Sequence, residues 1–180
     1  MGEIVKAVSI LAGGVGIFLI GMAGMIRLPD GEGPLDVLLQ VVVGFVLTCI
    51  VQSSAAAMAI MLTAAQNGLL SAQGAAAVVI GANVGTTDTA VIAAIGATPN
   101  ARRASMAHVA FKVVAAAVAL LLLPWMIRAI ATGMSWTGYA ADPAIKLAIF
   151  HTTFNALGVL LMIPLAVALL HAAGVDTVMP

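Results

Sequence analysis

Two short polar stretches stand out in an otherwise very apolar sequence, and they hold the residue types that could bind a small ion. The first is Gln52-Ser53-Ser54, and the second runs from Gly81 to Asp88. Hydrocarbon offers no water to free backbone N–H and C=O groups, so helix-breaking polar sequence persists at membrane depth only where it lines a cavity. Short or Gly-interrupted apolar segments are typical of a transporter's substrate site. The two stretches are therefore the candidate site.

The first stretch could end one helix and begin another. It would then present carbonyl groups that bind a cation and amide groups that bind an anion. The amides at a helix N-terminus carry a partial positive charge and bind anions without a basic side chain. Ser53 and Ser54, just before the apolar run from Ala55, would add hydroxyls to such a site. The C-terminal carbonyls of the preceding helix, with Thr48 and Gln52, would offer oxygen ligands to a small cation. Neither stretch contains Lys or Arg, so a co-bound cation would neutralise the anion.

The second stretch offers similar chemistry and adds an acidic side chain. Asn83, Thr86 and Thr87 could contact an anion ahead of the next apolar segment. Asp88 is the one acidic residue expected at depth, where burial of a charge is costly. It could cap a helix N-terminus, bind a cation or carry a proton. Lys112 could be its counter-charge, or it could extend to the membrane interface.

Composition indicates the elements that position these residues. Hydrophobic residues make up 63% of the chain and charged residues 8%, whereas a soluble domain has about a quarter charged residues. The sequence predicts an all-α, polytopic membrane protein with a single transmembrane domain over 1–180, in which 98–103 is an aqueous loop and 129–143 is a polar, Gly-containing connection. The predicted apolar segments are 8–26, 36–66 (re-entrant or broken at Gln52–Ser54), 69–97 (broken at Asn83–Thr87), 104–128 and 144–170.

Charge and motif content exclude several classes of function. The formal net charge is zero, which argues against nucleic-acid binding, since that calls for a basic patch. The chain shows no metal-ligand spacing, nucleotide-binding loop or catalytic triad, so we expect no enzymatic activity. The lipid bilayer is the expected surrounding.

Two boxes resemble those of the sodium-dependent phosphate cotransporter family, the type II transporters of bacteria and animals. TCIVQSSAA at 48–56 is similar to that family's T-x-x-x-Q-S-S-S-A box, and GANVGTT at 81–87 is similar to its G-x-N-x-G-T-T box. The stretches 16–22, 102–108 and 151–155 also look like family sequence. Ala55 stands in place of the family's third serine, and Asp88 stands where an uncharged residue is expected.

The resemblance implies sodium-coupled transport of inorganic phosphate by a multi-pass protein of the cell membrane. Phosphate would lie near the Gln-Ser-Ser turn, with sodium, the coupling ion, beside it on hydroxyl and carbonyl oxygens. The implied phosphate-binding residues are Gln52, Ser53, Ser54, Asn83, Thr86 and Thr87. The predicted sodium ligands are Thr48, Gln52, Ser53, Asn83, Thr87 and Asp88.

Family transporters resemble two inverted repeats with one Gln-Ser-Ser box each, whereas this chain has one box. An excess of Lys and Arg normally orients a membrane protein, and here the predicted topology places three basic residues on each side. They are Lys6, Arg102 and Arg103 on one side and Arg27, Arg128 and Lys146 on the other. This balance favours an antiparallel, dual-topology homodimer of one-repeat protomers over a truncated half.

Two other functions stay open on the sequence. The chain could transport another small anion, coupled to sodium or, through Asp88, to protons. It could also be a non-transporting membrane assembly protein, in which Ser and Thr only hydrogen-bond between helices.

Overall fold

The computed structural model describes residues 2–6, 9, 13, 16, 31–137 and 142–172. Regular structure in these residues is helical, without strands, which confirms the predicted all-α fold. The predicted span 8–26 lies almost entirely outside the described residues. Six helices follow in chain order: α1 Pro34–Val51, α2 Ser54–Gln66, α3 Ala72–Gly85, α4 Asp88–Ala93, α5 Pro99–Ser135 and α6 Pro143–Ala172.

Four helical segments in the described part of the chain are long and apolar enough to cross a membrane. They are α1, the pair α3–α4 taken together over 72–93, α5, and 143–164 of α6. At 13 residues, α2 is apolar but shorter than the about 20 residues that a bilayer crossing needs. The helices therefore have the lengths of a multi-pass membrane protein.

Helices α1 and α3 run side by side in the same direction and form the most extensive helix–helix contact among the described residues. Gly44 lies against the carbonyl of Val78, and Gly81 lies against the carbonyl of Val41. Gly85 lies against the last turns of α1. Glycines at such positions allow two helix backbones to approach closely. The C-terminal ends of α1 and α3 consequently lie at the same level.

Because α1 and α3 run in the same direction, the chain between them reverses. The reversal occurs at Gln52–Ser53, and α2 leads back along α3. Gln52 has a left-handed backbone with φ 56°, which no other described non-glycine residue has, and this conformation costs about 1–2 kcal/mol. Ser53 begins α2 as its N-cap, where its Oγ accepts a hydrogen bond from Ala56 N at 3.2 Å.

The interruption between α3 and α4 is narrower than the predicted break at Asn83–Thr87. Asn83 lies inside α3, and only Thr86 and Thr87 separate α3 from α4. Both threonines keep right-handed helical backbone angles. The chain therefore deviates from the helix there without reversing.

Helix α5 is longer at both ends than the predicted segment 104–128. Pro99 occupies the first helical turn, for which its fixed φ is suited, and the Thr98 side chain accepts from Ala101 N at 3.4 Å. Residues 99–103, predicted to be a loop, are thus helical, and so are residues 129–135. The 37 residues of α5 span about 55 Å, so the helix extends beyond a hydrocarbon core of about 30 Å.

Helix α3 is the centre of the fold and contacts α1, α2, α5 and α6. Every residue from Gly74 to Ala82 is buried. A helix that is apolar on all sides belongs in a core, and α3 is surrounded by other helices as that rule requires. The candidate site lies at the C-terminal end of this buried helix.

Gly81→Ala should destabilise the protein by about 1–3 kcal/mol, the usual cost of overpacking, because its Cβ would overlap the Val41 carbonyl. Gly133→Ala is the matched control, since a Cβ there meets nothing within 4 Å and alanine favours a helix by up to about 1 kcal/mol. Thermal unfolding of the purified protein in detergent measures both. Equal melting temperatures for the two variants would contradict the close contact between α1 and α3.

Candidate functional site

The end of α1, the start of α2 and the α3–α4 junction meet around one polar cavity. Its volume is about 120 Å³, and every residue that lines it has a polar side chain. The lining residues are Thr48, Gln52, Ser54, Thr86, Asp88 and Thr89. We call it the break cavity. It forms at this place because α1 and α3 run parallel and end at the same level.

Gln52 and Asp88 connect the two interruptions of the helices. The amide nitrogen of Gln52 donates to the Cys49 carbonyl at 2.5 Å and also to Asp88 Oδ2. The other carboxylate oxygen, Asp88 Oδ1, accepts from Thr89 N at 2.6 Å. Asp88 thus accepts hydrogen bonds on both of its oxygens. Lys112, predicted as a possible counter-charge of Asp88, instead donates to Asn83.

Thr48 supplies a buried oxygen at the wall of the break cavity. The residue is 2% exposed, and its Oγ1 has no hydrogen-bond partner. Leaving a buried polar group unsatisfied costs about 1–3 kcal/mol, so such a group calls for an explanation. A small hard cation is bound by oxygen ligands, and Thr48 and Asp88, which carry a hydroxyl and a carboxylate, line the same cavity.

The start of α2 supplies the complementary polarity. The Ser53 hydroxyl oxygen accepts from Ala56 N and so serves as the N-cap. Ser54, the first helical residue, lines the break cavity and also a second, narrower cavity. Because α2 has 13 residues, its N-terminal end carries the partial positive charge of a helix. The second cavity is lined by Ser54, Met58, Met61, Val79, Ala82, Asn83 and His151.

The hydroxyls of Thr86 and Thr87 complete the end of α3. Thr86 Oγ1 donates to the Asn83 carbonyl at 2.7 Å, and Thr87 Oγ1 donates to the Val84 carbonyl at 2.8 Å. Thr87 is buried and its side chain does not cap α4, which has only six residues. The two hydroxyls therefore satisfy carbonyls of α3 rather than amides of α4.

The predicted site residues are distributed unequally around the two cavities. Asn83 lines the second cavity, whereas Ser53, the N-cap of α2, and Thr87 line neither cavity. Thr89 and His151 were not predicted as site residues. The signals for them in the sequence were the position after Asp88 and the His-x-x-Phe spacing that 108–111 and 151–154 share. The predicted residues that line the break cavity are Thr48, Gln52, Ser54, Thr86 and Asp88.

The donor set of the break cavity suits a hard cation better than a transition metal. Within the described ranges, no three His, Cys, Asp or Glu side chains form a group that could hold a metal ion. The available ligands are hydroxyl, amide and carboxylate oxygens, which hard cations prefer.

Comparison with known proteins identifies the family of this chain. The model of the family described as Na+/Pi-cotransporter matches residues 36–163. YqeW of Bacillus subtilis (strain 168) is 34% identical over 171 residues, a match that takes in 84% of this chain and 52% of YqeW. The chain therefore spans about half the length of this relative. No solved structure matches the chain significantly. Since the family model covers well over half of the chain, the protein belongs to the Na+/Pi-cotransporter family.

Proposed function

We propose that this chain carries out sodium-coupled transport of inorganic phosphate across the cell membrane. The observation that carries the proposal is the break cavity, where a helix C-terminus and a helix N-terminus meet among polar side chains. Helix ends of this kind, held at membrane depth, are how secondary transporters present dipoles and carbonyls to ions. Family membership supports the same ions.

Sodium would bind on the α1 side of the break cavity. Thr48 Oγ1 is buried there without a partner, and the Asp88 carboxylate borders the same space. Gln52 donates through its amide nitrogen to Asp88, which leaves its amide oxygen as a further ligand. Of the predicted sodium ligands, Thr87 is the least supported, because its side chain lines neither cavity.

Phosphate would bind on the α2 side of the break cavity. The Ser54 hydroxyl would donate to a phosphate oxygen. The first backbone amides of α2 would do the same, because the first N–H groups of a helix have no acceptor within the helix. Gln52, Ser53, Asn83, Thr86 and Thr87 complete the proposed phosphate-binding set. Sodium beside the anion would offset the charge that Asp88 adds, and this adjacency would couple the two ions.

A different coupling ion or a different anion is the main alternative. Asp88 accepts hydrogen bonds from Gln52 and Thr89. Its carboxylate and the unpartnered hydroxyl of Thr48 belong to residues that line the same cavity, and such oxygens favour a hard cation over a proton as the coupling ion. Replacing phosphate by sulfate, and sodium by a proton gradient, in a transport assay separates the alternatives.

Ser54→Ala should weaken phosphate binding by roughly 10- to 100-fold, since a hydrogen bond to a charged group is worth about 1.5–3 kcal/mol. The melting temperature should stay close to that of the wild type, because the Ser54 hydroxyl does not cap the helix. Ser53→Ala should lower the melting temperature, because removing an N-cap costs about 0.5–2 kcal/mol, and also the phosphate affinity, because Ser53 belongs to the proposed phosphate-binding set. Radiolabelled phosphate binding and thermal unfolding in sodium-containing detergent solution measure the two effects.

Ser71→Ala is the matched control, because Ser71 caps α3 by accepting from Gly74 N at 3.0 Å. It should lower the melting temperature while leaving phosphate affinity unchanged. If Ser54→Ala lowered stability without affecting binding, the polar residues would serve helix packing, and the assembly-protein alternative would be favoured.

We further propose that two copies assemble antiparallel, so that each contributes one repeat of a two-repeat transporter. The chain matches about half of YqeW, and basic residues are balanced between the two sides of the predicted topology. Alternating access would then arise from movement between the two inverted protomers.

Asn100→Cys in a Cys49→Ala background should be labelled from outside intact cells by a membrane-impermeant maleimide in about half of the copies, because the charge balance gives no preferred orientation. Asn100 is exposed at the start of α5. Ser135→Cys, at the other end of α5, should also be labelled in about half of the copies. Labelling of one position only would show a single orientation and contradict the antiparallel dimer.

A further inference from the structure

Lys112 is a basic side chain within the apolar length of α5, and its charge has a specific neighbour. Its ammonium donates to Asn83 Oδ1 at 2.6 Å, and the side chain is partly buried. Across the described ranges the one ion pair is Lys6–Glu3, so no described carboxylate pairs with Lys112. Ionisable residues inside membrane segments are costly, and they usually mark an ion pathway.

Asn83 connects this ammonium to the proposed anion site. A side-chain amide has its acceptor and its two donors on opposite arms, so accepting from Lys112 leaves the Asn83 N–H groups free to donate elsewhere. Asn83 and Ser54 line the second cavity, and Ser54 also lines the break cavity. The positive charge of Lys112 is therefore one side chain away from the groups that would hold the anion.

We propose that the Lys112 ammonium is a built-in cation of the anion site and takes the place of one transported sodium ion. The inference rests on the proposed function. The Asn83 side-chain oxygen, predicted from the sequence as a sodium ligand, already accepts from a cation. A sodium ion on the same oxygen would be repelled by the ammonium. The remaining sodium ligands are those on the α1 side of the break cavity, around Thr48 and Asp88.

The chain itself offers a neutral residue for comparison. Lys112 follows His108 and Phe111 in the same spacing in which Asn155 follows His151 and Phe154. Asn155 donates to the His151 carbonyl at 2.8 Å, one turn back in its own helix. Asparagine is thus compatible with a helix at this position of the pattern. Lys112→Asn therefore removes the charge and introduces the residue found at the equivalent position in α6.

A fixed ammonium reduces the positive charge that sodium must supply for the anion to bind. The anion would be partly neutralised before any sodium binds, so the wild-type protein should bind phosphate in the absence of sodium. Sodium bound near Thr48 and Asp88 would then raise the affinity and drive transport. Without the ammonium, sodium would have to supply all of the positive charge.

The test is equilibrium binding of radiolabelled phosphate to the purified full chain, in choline chloride and over a sodium series. Wild type should bind in choline, whereas Lys112→Asn should lose that binding and regain it in sodium, with a Hill coefficient higher by about one. Lys112→Arg should keep sodium-independent binding, because it retains the charge. Lys146→Asn is the matched control: it removes a lysine near the start of α6, outside both cavities, and should behave as wild type.

The possible outcomes separate failure of the inference about Lys112 from failure of the proposed transport function. If Lys112→Asn, with an unchanged melting temperature, bound phosphate with the sodium dependence of wild type, the ammonium would not substitute for sodium, and the proposed function would still stand. If wild type bound phosphate only in sodium, the inference would likewise be overturned. If wild type bound no phosphate at any sodium concentration, the proposed function would be overturned together with the inference.

Discussion

The close parallel packing of α1 against α3 determines where the polar groups of this protein lie. Glycines at 44 and 81 let the two backbones touch, and a side chain at either position would overlap a carbonyl of the facing helix. Because α1 and α3 pack in parallel, with Gly85 against the last turns of α1, their C-terminal ends lie at the same level. The chain must therefore reverse direction between them. The reversal at Gln52–Ser53 and the junction at Thr86–Thr87 meet around the break cavity for this reason.

The polarity of the break cavity follows from which helix ends meet there. The C-terminus of α1 presents carbonyls, and the N-terminus of α2 presents amides, so opposite partial charges lie within a few residues of each other. Asp88 adds a negative charge on the α1 side through its contact with Gln52, and Lys112 lies beyond Asn83 on the other side. A cation and an anion bound side by side would complement this arrangement, and two ions that need each other for charge balance are coupled.

The all-helical fold and the choice of the two polar stretches as the candidate site could be predicted from the sequence. The lengths of the apolar segments, and the Gln, Ser and Asn residues that interrupt them, are local signals. The meeting of the stretches could not, because it depends on which glycines of α1 and α3 face each other. The placement of Thr87 and Thr89 depends on where α3 ends, and a shift of one residue turns a side chain away from the cavity. The start of α5 was predicted as a loop because Pro99 and the arginines resemble a turn, although proline is well suited to a first helical turn. The individual phosphate and sodium ligands stay predictions.

Sodium-driven uptake of radiolabelled phosphate into liposomes that contain only this chain tests the central claim most directly. The account predicts uptake with an inward sodium gradient and none in potassium. It also predicts that Thr48→Val needs several-fold more sodium without losing stability, because valine keeps the shape and removes one oxygen ligand whose hydroxyl has no partner. Uptake that ignored sodium, or folded protein that took up no phosphate, would contradict the claim that the break cavity is a coupled site for the two ions.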